Sequence, residues 1–126
     1  MPTPERVGDL IRYVTGLRLV EALEEFYHPD STMQENMAAP RIGRAVSIAR
    51  QKRNAALAAD VLELRAASCL IDGDRVAIEW HAEWRMPDGT QQRIEEVALQ
   101  VWKGDRIIRE RFFYDPRPLG AWIAFA

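Results

Sequence analysis

Apolar residues near the start of the chain recur at the spacing of an α-helix. The sequence Thr3-Pro4-Glu5 is a typical helix start, with an N-cap residue, a proline and an early acid. Two apolar stripes follow, separated by a predicted bend at Gly16: Val7, Leu10, Ile11 and Val14, then Leu19, Val20, Leu23 and Phe26. Pro29 stops the second helix, because a proline disfavours helical backbone in the residue before it.

A third helix is predicted from about Arg44 to Ala58, after a turn and a brief strand within residues 30–36. We expect its apolar stripe to face the core and its basic residues to point away. The stripe consists of Ile42, Ala45, Val46, Ala49 and Ala56, and the basic residues are Arg50, Lys52 and Arg53.

Beyond residue 59 the period of the pattern changes to two, which is typical of strands. Four strands are predicted near 61–71, 75–86, 91–103 and 106–115, separated by the turn sequences Asp72-Gly73-Asp74, Pro87-Asp88-Gly89 and Lys103-Gly104-Asp105. Such short turns join antiparallel neighbours, so the strands form a meander. Helices packed on one side of an antiparallel sheet make an α+β domain.

Composition narrows the class of protein. The 126 residues suit one domain, 1–126, and the formal charge of −2 disfavours nucleic-acid and membrane-surface partners. The single cysteine, Cys69, cannot form an internal disulfide. Neither a signal-peptide start nor a membrane-spanning apolar run is visible, so we expect a cytoplasmic protein. The tail from Leu119 onward is apolar enough to pack against another part of the protein.

Two segments resemble a known family. They are residues 26–36, Phe-Tyr-His-Pro-Asp-Ser-Thr-Met-Gln-Glu-Asn, and residues 107–115, Ile-Ile-Arg-Glu-Arg-Phe-Phe-Tyr-Asp. Together with the helices-then-meander layout, they resemble the nuclear-transport-factor-2-like superfamily, and within it the SnoaL-like and ketosteroid-isomerase-like proteins. The resemblance implies a cone-shaped, cystatin-like fold whose curved antiparallel sheet encloses an apolar pocket. It also implies a homodimer formed through the outer face of the sheet.

The resemblance to ketosteroid isomerases extends to two residues. Tyr13 is similar in position to that family's oxyanion-binding tyrosine, and Glu35 falls where the family has its general base. Ala98 stands where the isomerases have a protonated aspartate, so steroid isomerisation is not expected. The Arg/Asp pairing of epoxide hydrolases is also missing, with Glu79 and His81 near those positions.

The implied chemistry is proton transfer next to a carbonyl. A carboxylate in an apolar pocket becomes a better base near neutral pH, and a phenol can stabilise an enolate oxygen. Glu35 would be the base and Tyr13 the oxyanion donor. In the alternative interpretation, Glu35 binds backbone amides or faces water, and Tyr13 packs its ring in the core.

Two further residues are candidate auxiliary acids. His81 shares a strand face with Glu79 and Glu83, which favours either a Glu–His pair on that face or a diagonal contact with Glu96 or Glu110. The alternative places His81 on a wet or dimer-facing surface. Glu110 is the second candidate, and its alternative is a salt bridge with a neighbouring arginine.

Four aromatic residues are candidate ligand contacts: Phe112, Tyr114, Trp80 and Trp102. Their alternative role is in the core or in an interface. Asp115 lies just after the last strand, where an aspartate usually caps a turn, so we expect a capping role for it and not a chemical one.

No motif points to a cofactor. The two histidines and one cysteine have no zinc-ligand spacing, and no Gly-rich nucleotide-binding sequence is present. We therefore expect a cofactor-free isomerase, cyclase or dehydratase acting on a small, apolar, carbonyl-bearing ligand. The competing hypothesis is a non-catalytic ligand-binding or dimerisation domain of the same fold.

Overall fold

The computed structural model describes residues 1–57 and 60–119. The described residues form three α-helices and six strands. They are α1 (Pro4–Thr15), α2 (Leu19–Phe26), β1 (Tyr27–Glu35), β2 (Arg41–Ile42), α3 (Arg44–Leu57), β3 (Asp60–Asp72), β4 (Arg75–Arg85), β5 (Gln91–Lys103) and β6 (Arg106–Tyr114). The predicted helix end at Ala58 and the tail at residues 120–126 lie outside the described residues.

The strands form one sheet in the order β2-β1-β6-β5-β4-β3. The three predicted turns join β3, β4, β5 and β6 into an antiparallel meander, and Gly73, Gly89 and Gly104 take the positive φ angles that such turns require. The α+β fold class is confirmed. One pair, β1 and β6, runs parallel. A helix and four strands separate these two strands in the sequence, so no tight turn dictates their relative direction.

Helices α1 and α2 supply much of the core. The side chain of Thr3 caps α1 by accepting a hydrogen bond of 3.0 Å from the backbone of Arg6. The predicted apolar stripes face inward, and α2 ends at Phe26, ahead of Pro29 as expected. The buried core joins these helices to the inner face of the meander through Val7, Leu10, Leu23, Phe26, Val76, Ile78, Ala98 and Ile107.

The predicted orientation of α3 is wrong. Its apolar stripe is exposed, with Val46 at 50% and the adjoining Ile42 at 73%, whereas Ser47 is 4% exposed and Arg50 is half-buried. Because the inner face of α3 looks onto a cavity rather than onto packed side chains, polar groups can occupy it. A carboxylate on β1, described below, compensates the buried charge of Arg50.

Candidate active site

A cavity of about 710 Å³ lies between the helices and the inner face of the sheet. This volume suits a small organic ligand. Part of the wall is apolar and comes from α1, α2 and the meander, including Leu10, Val14, Leu23, Trp80, Ile94 and Phe112. The polar part of the wall contains four carboxyl groups, Glu35, Asp60, Glu96 and Glu110, and two arginines, Arg41 and Arg50. The site is thus an apolar chamber with a concentrated patch of ionisable groups.

Glu110 is held by a chain of buried hydrogen bonds. The Tyr27 hydroxyl donates to its Oε1, and the Gln100 amide donates to its Oε2 over 2.6 Å. The Trp102 indole in turn donates to Oε1 of Gln100 over 3.0 Å, which fixes the orientation of the amide. β6 places Glu110 in this network because Gln100 is its cross-strand partner on β5.

Burial raises the pKa of Glu110 to about 7, although the hydrogen bonds from Tyr27 and Gln100 oppose that rise by favouring the charged form. The charge of Glu35 adds to the rise, and that of Arg41 counteracts it. Burial and the nearby carboxylate likewise raise the pKa of Tyr27 well above its ordinary value. Tyr27 is therefore a neutral donor, and Glu110 changes charge near neutral pH.

Glu96 differs from Glu110 in having no hydrogen-bond partner among the described residues. It lies on β5 opposite Trp80 on β4 and Tyr114 on β6, and it lines the cavity. Burial raises the pKa of Glu96 to about 8; the charges of Glu110 and Glu35 add to this. A carboxyl group with free oxygens and a pKa in this range is suited to exchanging a proton with a ligand.

Glu35 forms ion pairs with both arginines of the cavity wall. Its Oε2 accepts from Nη1 of Arg41, and its Oε1 lies 3.2 Å from Nη2 of Arg50. All three side chains are at most 17% exposed. A reaction that used Glu35 as a base would have to displace one guanidinium group from the accepting oxygen.

The position of Glu35 is fixed by the residue that follows it. Asn36 ends β1 with φ +49° and bonds to β6 at three points. The backbone N–H of Asn36 donates to the backbone carbonyl of Phe112, and its backbone carbonyl accepts from Nε of Arg111. Its side-chain oxygen accepts from the backbone N–H of Tyr114. Glu35 is thereby anchored opposite Phe112.

Tyr13, the predicted oxyanion donor, does not line the cavity. Its ring meets that of Phe26 edge-on with centroids 5.0 Å apart, and the Arg18 guanidinium covers it at 4.1 Å. This arrangement corresponds to the alternative interpretation, in which the ring packs against the core.

His81 lies on the outer face of the sheet. Its Nδ1 is 3.0 Å from Nη2 of Arg65, and its ring is near Glu79 and Glu95. The expected contact with Glu96 or Glu110 is wrong, because those side chains project from the opposite face. Strand register explains this: His81 pairs with Glu95, so Glu96 shares a face with Trp80.

The four predicted aromatic contacts divide into two groups. Trp80 and Phe112 line the cavity. Trp102 is buried behind Gln100, and Tyr114 adjoins the ionisable cluster without lining the cavity. Burial, with the charge of Glu35 adding to it, raises the pKa of Tyr114 to about 12.

Asp115 binds the side chain and backbone of Arg117, as expected of a residue that caps a turn.

Sequence reasoning missed Glu96, Arg41 and Arg50 as site residues. A signal for Glu96 was present, because pairing β4 with β5 across the turn at 87–89 places it opposite Trp80. A signal for the part of the wall formed by α3 was also present. The polar residues Ser47, Arg50 and Asn54 recur at helical spacing and so lie on one face of the helix. Apolar residues on the other face concealed it.

Within residues 1–57 and 60–119, no group of His, Cys, Asp and Glu side chains is arranged to hold a metal ion. Among the same residues, no helix has the length and apolarity needed to cross a membrane.

Similarity to solved structures extends over nearly the whole chain. A proposed SnoaL-like polyketide cyclase from Mesorhizobium loti is 19% identical, with a TM-score of 0.79 over 90% of this chain and 100% of that one. A protein of ketosteroid-isomerase-like fold from Catenulispora acidiphila, in complex with trimethylamine, is 21% identical, with a TM-score of 0.76 over 92% and 89%. At these identities the likeness establishes the fold alone.

Comparison by sequence gives the family. No curated protein matches the chain. The model of the SnoaL-like domain matches residues 13–110, which include β1, α3 and nearly all of the meander. The chain therefore belongs to the SnoaL-like domain family, with the fold of the nuclear-transport-factor-2-like superfamily.

Proposed function

We propose that the protein is a cofactor-free isomerase, cyclase or dehydratase that moves a proton next to the carbonyl of a small, largely apolar molecule. The observation that carries this proposal is Glu96, a half-buried carboxyl group that lines the cavity and has no hydrogen-bond partner among the described residues. A purely structural buried carboxyl group is normally satisfied by donors, as Glu110 is.

In the proposed reaction, the Glu96 carboxylate takes the proton from the carbon beside the carbonyl. The electrons of the broken C–H bond form the enolate double bond, and the carbonyl electrons move onto oxygen. Glu110, about half protonated near pH 7, is the proposed acid that donates a proton to this oxygen. Delivery of the proton from Glu96 to another carbon, with return of the oxygen-bound proton to Glu110 as the carbonyl re-forms, then completes an isomerisation.

The other predicted catalytic residues take different parts in this proposal. Glu35 orients Arg41 and Arg50, with which it is paired. Tyr13 supports the packing of α1 on Phe26, and His81 belongs to the outer face of the sheet. We expect Tyr13→Phe and His81→Gln to retain proton transfer, whereas the sequence-based hypothesis expects both to lose it.

Exchange of carbon-bound hydrogen for deuterium tests the proposal without knowledge of the natural substrate. The probe is 2-tetralone, a compact ketone with acidic hydrogens beside its carbonyl, followed by NMR in deuterated buffer. We expect the wild-type protein to accelerate exchange and Glu96→Gln to lower that acceleration at least about a hundredfold, the usual contribution of a general base. Glu95→Gln, on the opposite face of the same strand, is the matched control and should exchange as the wild type does.

The competing function is non-catalytic ligand binding in the same cavity. The apolar wall around Trp80 and Phe112 is compatible with it. The two functions separate in the same experiment. If tetralone quenches the fluorescence of cavity tryptophans without accelerated exchange, the binding module is favoured and the enzyme is rejected.

We also propose a homodimer formed through the outer face of the sheet. Val97 and Phe113 are cross-strand partners on that face, about two-fifths exposed in the single chain, and the Arg111 guanidinium lies 4.6 Å from the Phe113 ring centroid. Exposed apolar side chains in adjacent positions are typical of partner surfaces. Phe113→Glu should reduce the mass seen by light scattering from that of a dimer to that of a monomer.

The cytoplasm is the proposed location. Cys69 is exposed and has no disulfide partner, and a free surface thiol is best preserved in a reducing compartment. Fractionation of the native host cell, with detection by antibody, tests this assignment.

A further inference from the structure

The two arginines of the cavity wall share one carboxylate partner. Arg41 and Arg50 both bind the single carboxylate of Glu35, so two guanidinium groups share one counterion. The proximity of Arg41, together with burial as the larger cause, lowers the pKa of Arg50 from its ordinary value. The two guanidinium groups repel each other, and the carboxylate of Glu35 between them offsets this repulsion.

Several buried donors of this wall have no acceptor in the described part of the protein. They are Nε and Nη2 of Arg41, Nε of Arg50 and the hydroxyl of Ser47. Buried polar groups of a folded protein are rarely left unsatisfied. Their shared location, on β2 and the inner face of α3, indicates a place where a ligand supplies the acceptors.

The free edge of Arg41 has a specific shape. Its Nη1 is engaged by Glu35, and the remaining unpartnered nitrogens, Nε and Nη2, are the two that donate in parallel along one side of a guanidinium group. That edge matches the two oxygens of a carboxylate. An amide or a ketone offers only one oxygen and leaves one donor unsatisfied.

We propose that the ligand of this cavity is an apolar acid whose carboxylate binds between Arg41 and Arg50, with its apolar body against Trp80 and Phe112. This inference rests on the proposed function in that the same cavity holds the ligand, and it narrows the substrate class to apolar keto acids. The ligand's carboxylate is a second anionic partner for the arginine pair, beside Glu35.

The other ionisable groups of the wall are compatible with this charge. Glu96, with a pKa of about 8, is mainly protonated at pH 7, and Glu110, with a pKa of about 7, is partly so. Tyr27 and Tyr114 are neutral phenols at that pH. The arginine pair therefore dominates the field that an entering anion meets.

Binding of two matched probes tests the proposal at pH 7. The probes are 2-naphthoate and its neutral amide, 2-naphthamide, followed by calorimetry and by quenching of tryptophan fluorescence. We expect the naphthoate to bind at least about tenfold more tightly, as for a charge-assisted bidentate bond. Arg41→Gln and Arg50→Gln should each weaken naphthoate binding until the two probes bind about equally well. Neither variant should weaken naphthamide binding more than about twofold.

Two further variants separate a specific site from a general charge effect. Lys52→Gln removes one positive charge from the exposed side of α3 and should leave both affinities unchanged. Glu35→Gln removes the competing carboxylate and should strengthen naphthoate binding. Equal affinities of the two probes for the wild type, or an equal loss of naphthoate binding in Lys52→Gln and Arg50→Gln, would overturn the proposal.

The experiment distinguishes this proposal from the proposed enzyme. Naphthoate preference without exchange of tetralone hydrogens rejects the enzyme and keeps the acid-binding site. Exchange of tetralone hydrogens without naphthoate preference keeps the enzyme and rejects the acid-binding site. Binding of neither probe, with the fold intact by circular dichroism, rejects the acid-binding site.

Discussion

Tyr27 donates its hydroxyl hydrogen to Glu110, so the first strand of the sheet is joined to the last by two side chains buried in the cavity wall. The two strands run parallel and also pair through their backbones. The side-chain bond sets the position and charge of an ionisable group at the site. A change at Tyr27 is therefore expected to affect both the fold and the chemistry.

Tyr27→Phe should destabilise the protein and raise the pKa of Glu110 further. The hydroxyl is one of two donors that favour the charged form of Glu110, and its loss leaves a buried carboxyl oxygen unsatisfied. We expect a loss of about 1–3 kcal/mol in the free energy of unfolding, measured by urea denaturation. Titration of isotope-labelled glutamate by NMR reads the pKa, and a value that stays at about 7 or falls would contradict the assigned role of the bond.

Stability should decrease as the pH rises from about 5 to 8. Glu96 and Glu110 have pKa values in the folded state, about 8 and about 7, that lie above the ordinary glutamate value of 4.5. Between these values the folded protein binds more protons than the unfolded chain, so raising the pH favours unfolding. Below about 4.5 both states are protonated and this cost is absent.

Glu96→Gln should flatten this dependence. The amide carries no charge at any pH in the range, and for a buried carboxyl group with this pKa shift the cost removed at pH 8 is on the order of 2–5 kcal/mol. Thermal unfolding of the wild type and the variant at pH 5 and pH 8 measures it. An identical loss of stability in both proteins would show that Glu96 is not the group responsible.

Asn36 should be replaced more easily by glycine than by alanine. Its φ of +49° lies in the left-handed region, and its side chain accepts a hydrogen bond from the backbone of Tyr114. Glycine loses only the side-chain bond, whereas alanine also carries the strain of the left-handed backbone, which is about 1 kcal/mol or more. Urea denaturation of both variants gives the order, and a more stable Asn36→Ala would rule out this explanation.

The orientation of α3 predicts opposite effects at two adjacent positions. Val46 is half exposed, so Val46→Ser should change the free energy of unfolding by no more than about 0.5 kcal/mol. Ser47 is buried beside Arg50 in the cavity wall, so Ser47→Leu should destabilise the protein or reduce ligand binding. The reverse pattern would restore the orientation that the apolar residues suggest.

Much of the fold follows from local signals in the sequence. The glycine turns after residues 72, 88 and 103 define the meander, and the helical stripe from Val7 defines α1. The direction of β1 and the rotation of α3 do not follow from such signals. Both depend on partners distant in the sequence: β6 for β1, and the carboxylate of Glu35 for the inner face of α3.

The candidate site was only partly predictable. Four residues selected from the sequence line the cavity, Glu35, Glu110, Trp80 and Phe112, and their roles there stay predictions. Glu96 was overlooked because its properties come from burial and neighbouring charge, which appear only once β5 is aligned with β4 and β6. Tyr13 has the spacing of a pocket residue, but its ring packs on Phe26 instead.

The pH dependence of deuterium exchange into 2-tetralone tests the central claim, that Glu96 exchanges a proton with the ligand, most directly. The account predicts a bell-shaped pH profile with its maximum between about 7 and 8, because Glu96 must be deprotonated and Glu110 protonated, and it predicts that the acceleration is lost in Glu96→Gln. Glu95→Gln should reproduce the wild-type profile. An exchange rate and pH profile that Glu96→Gln leaves unchanged would contradict the account.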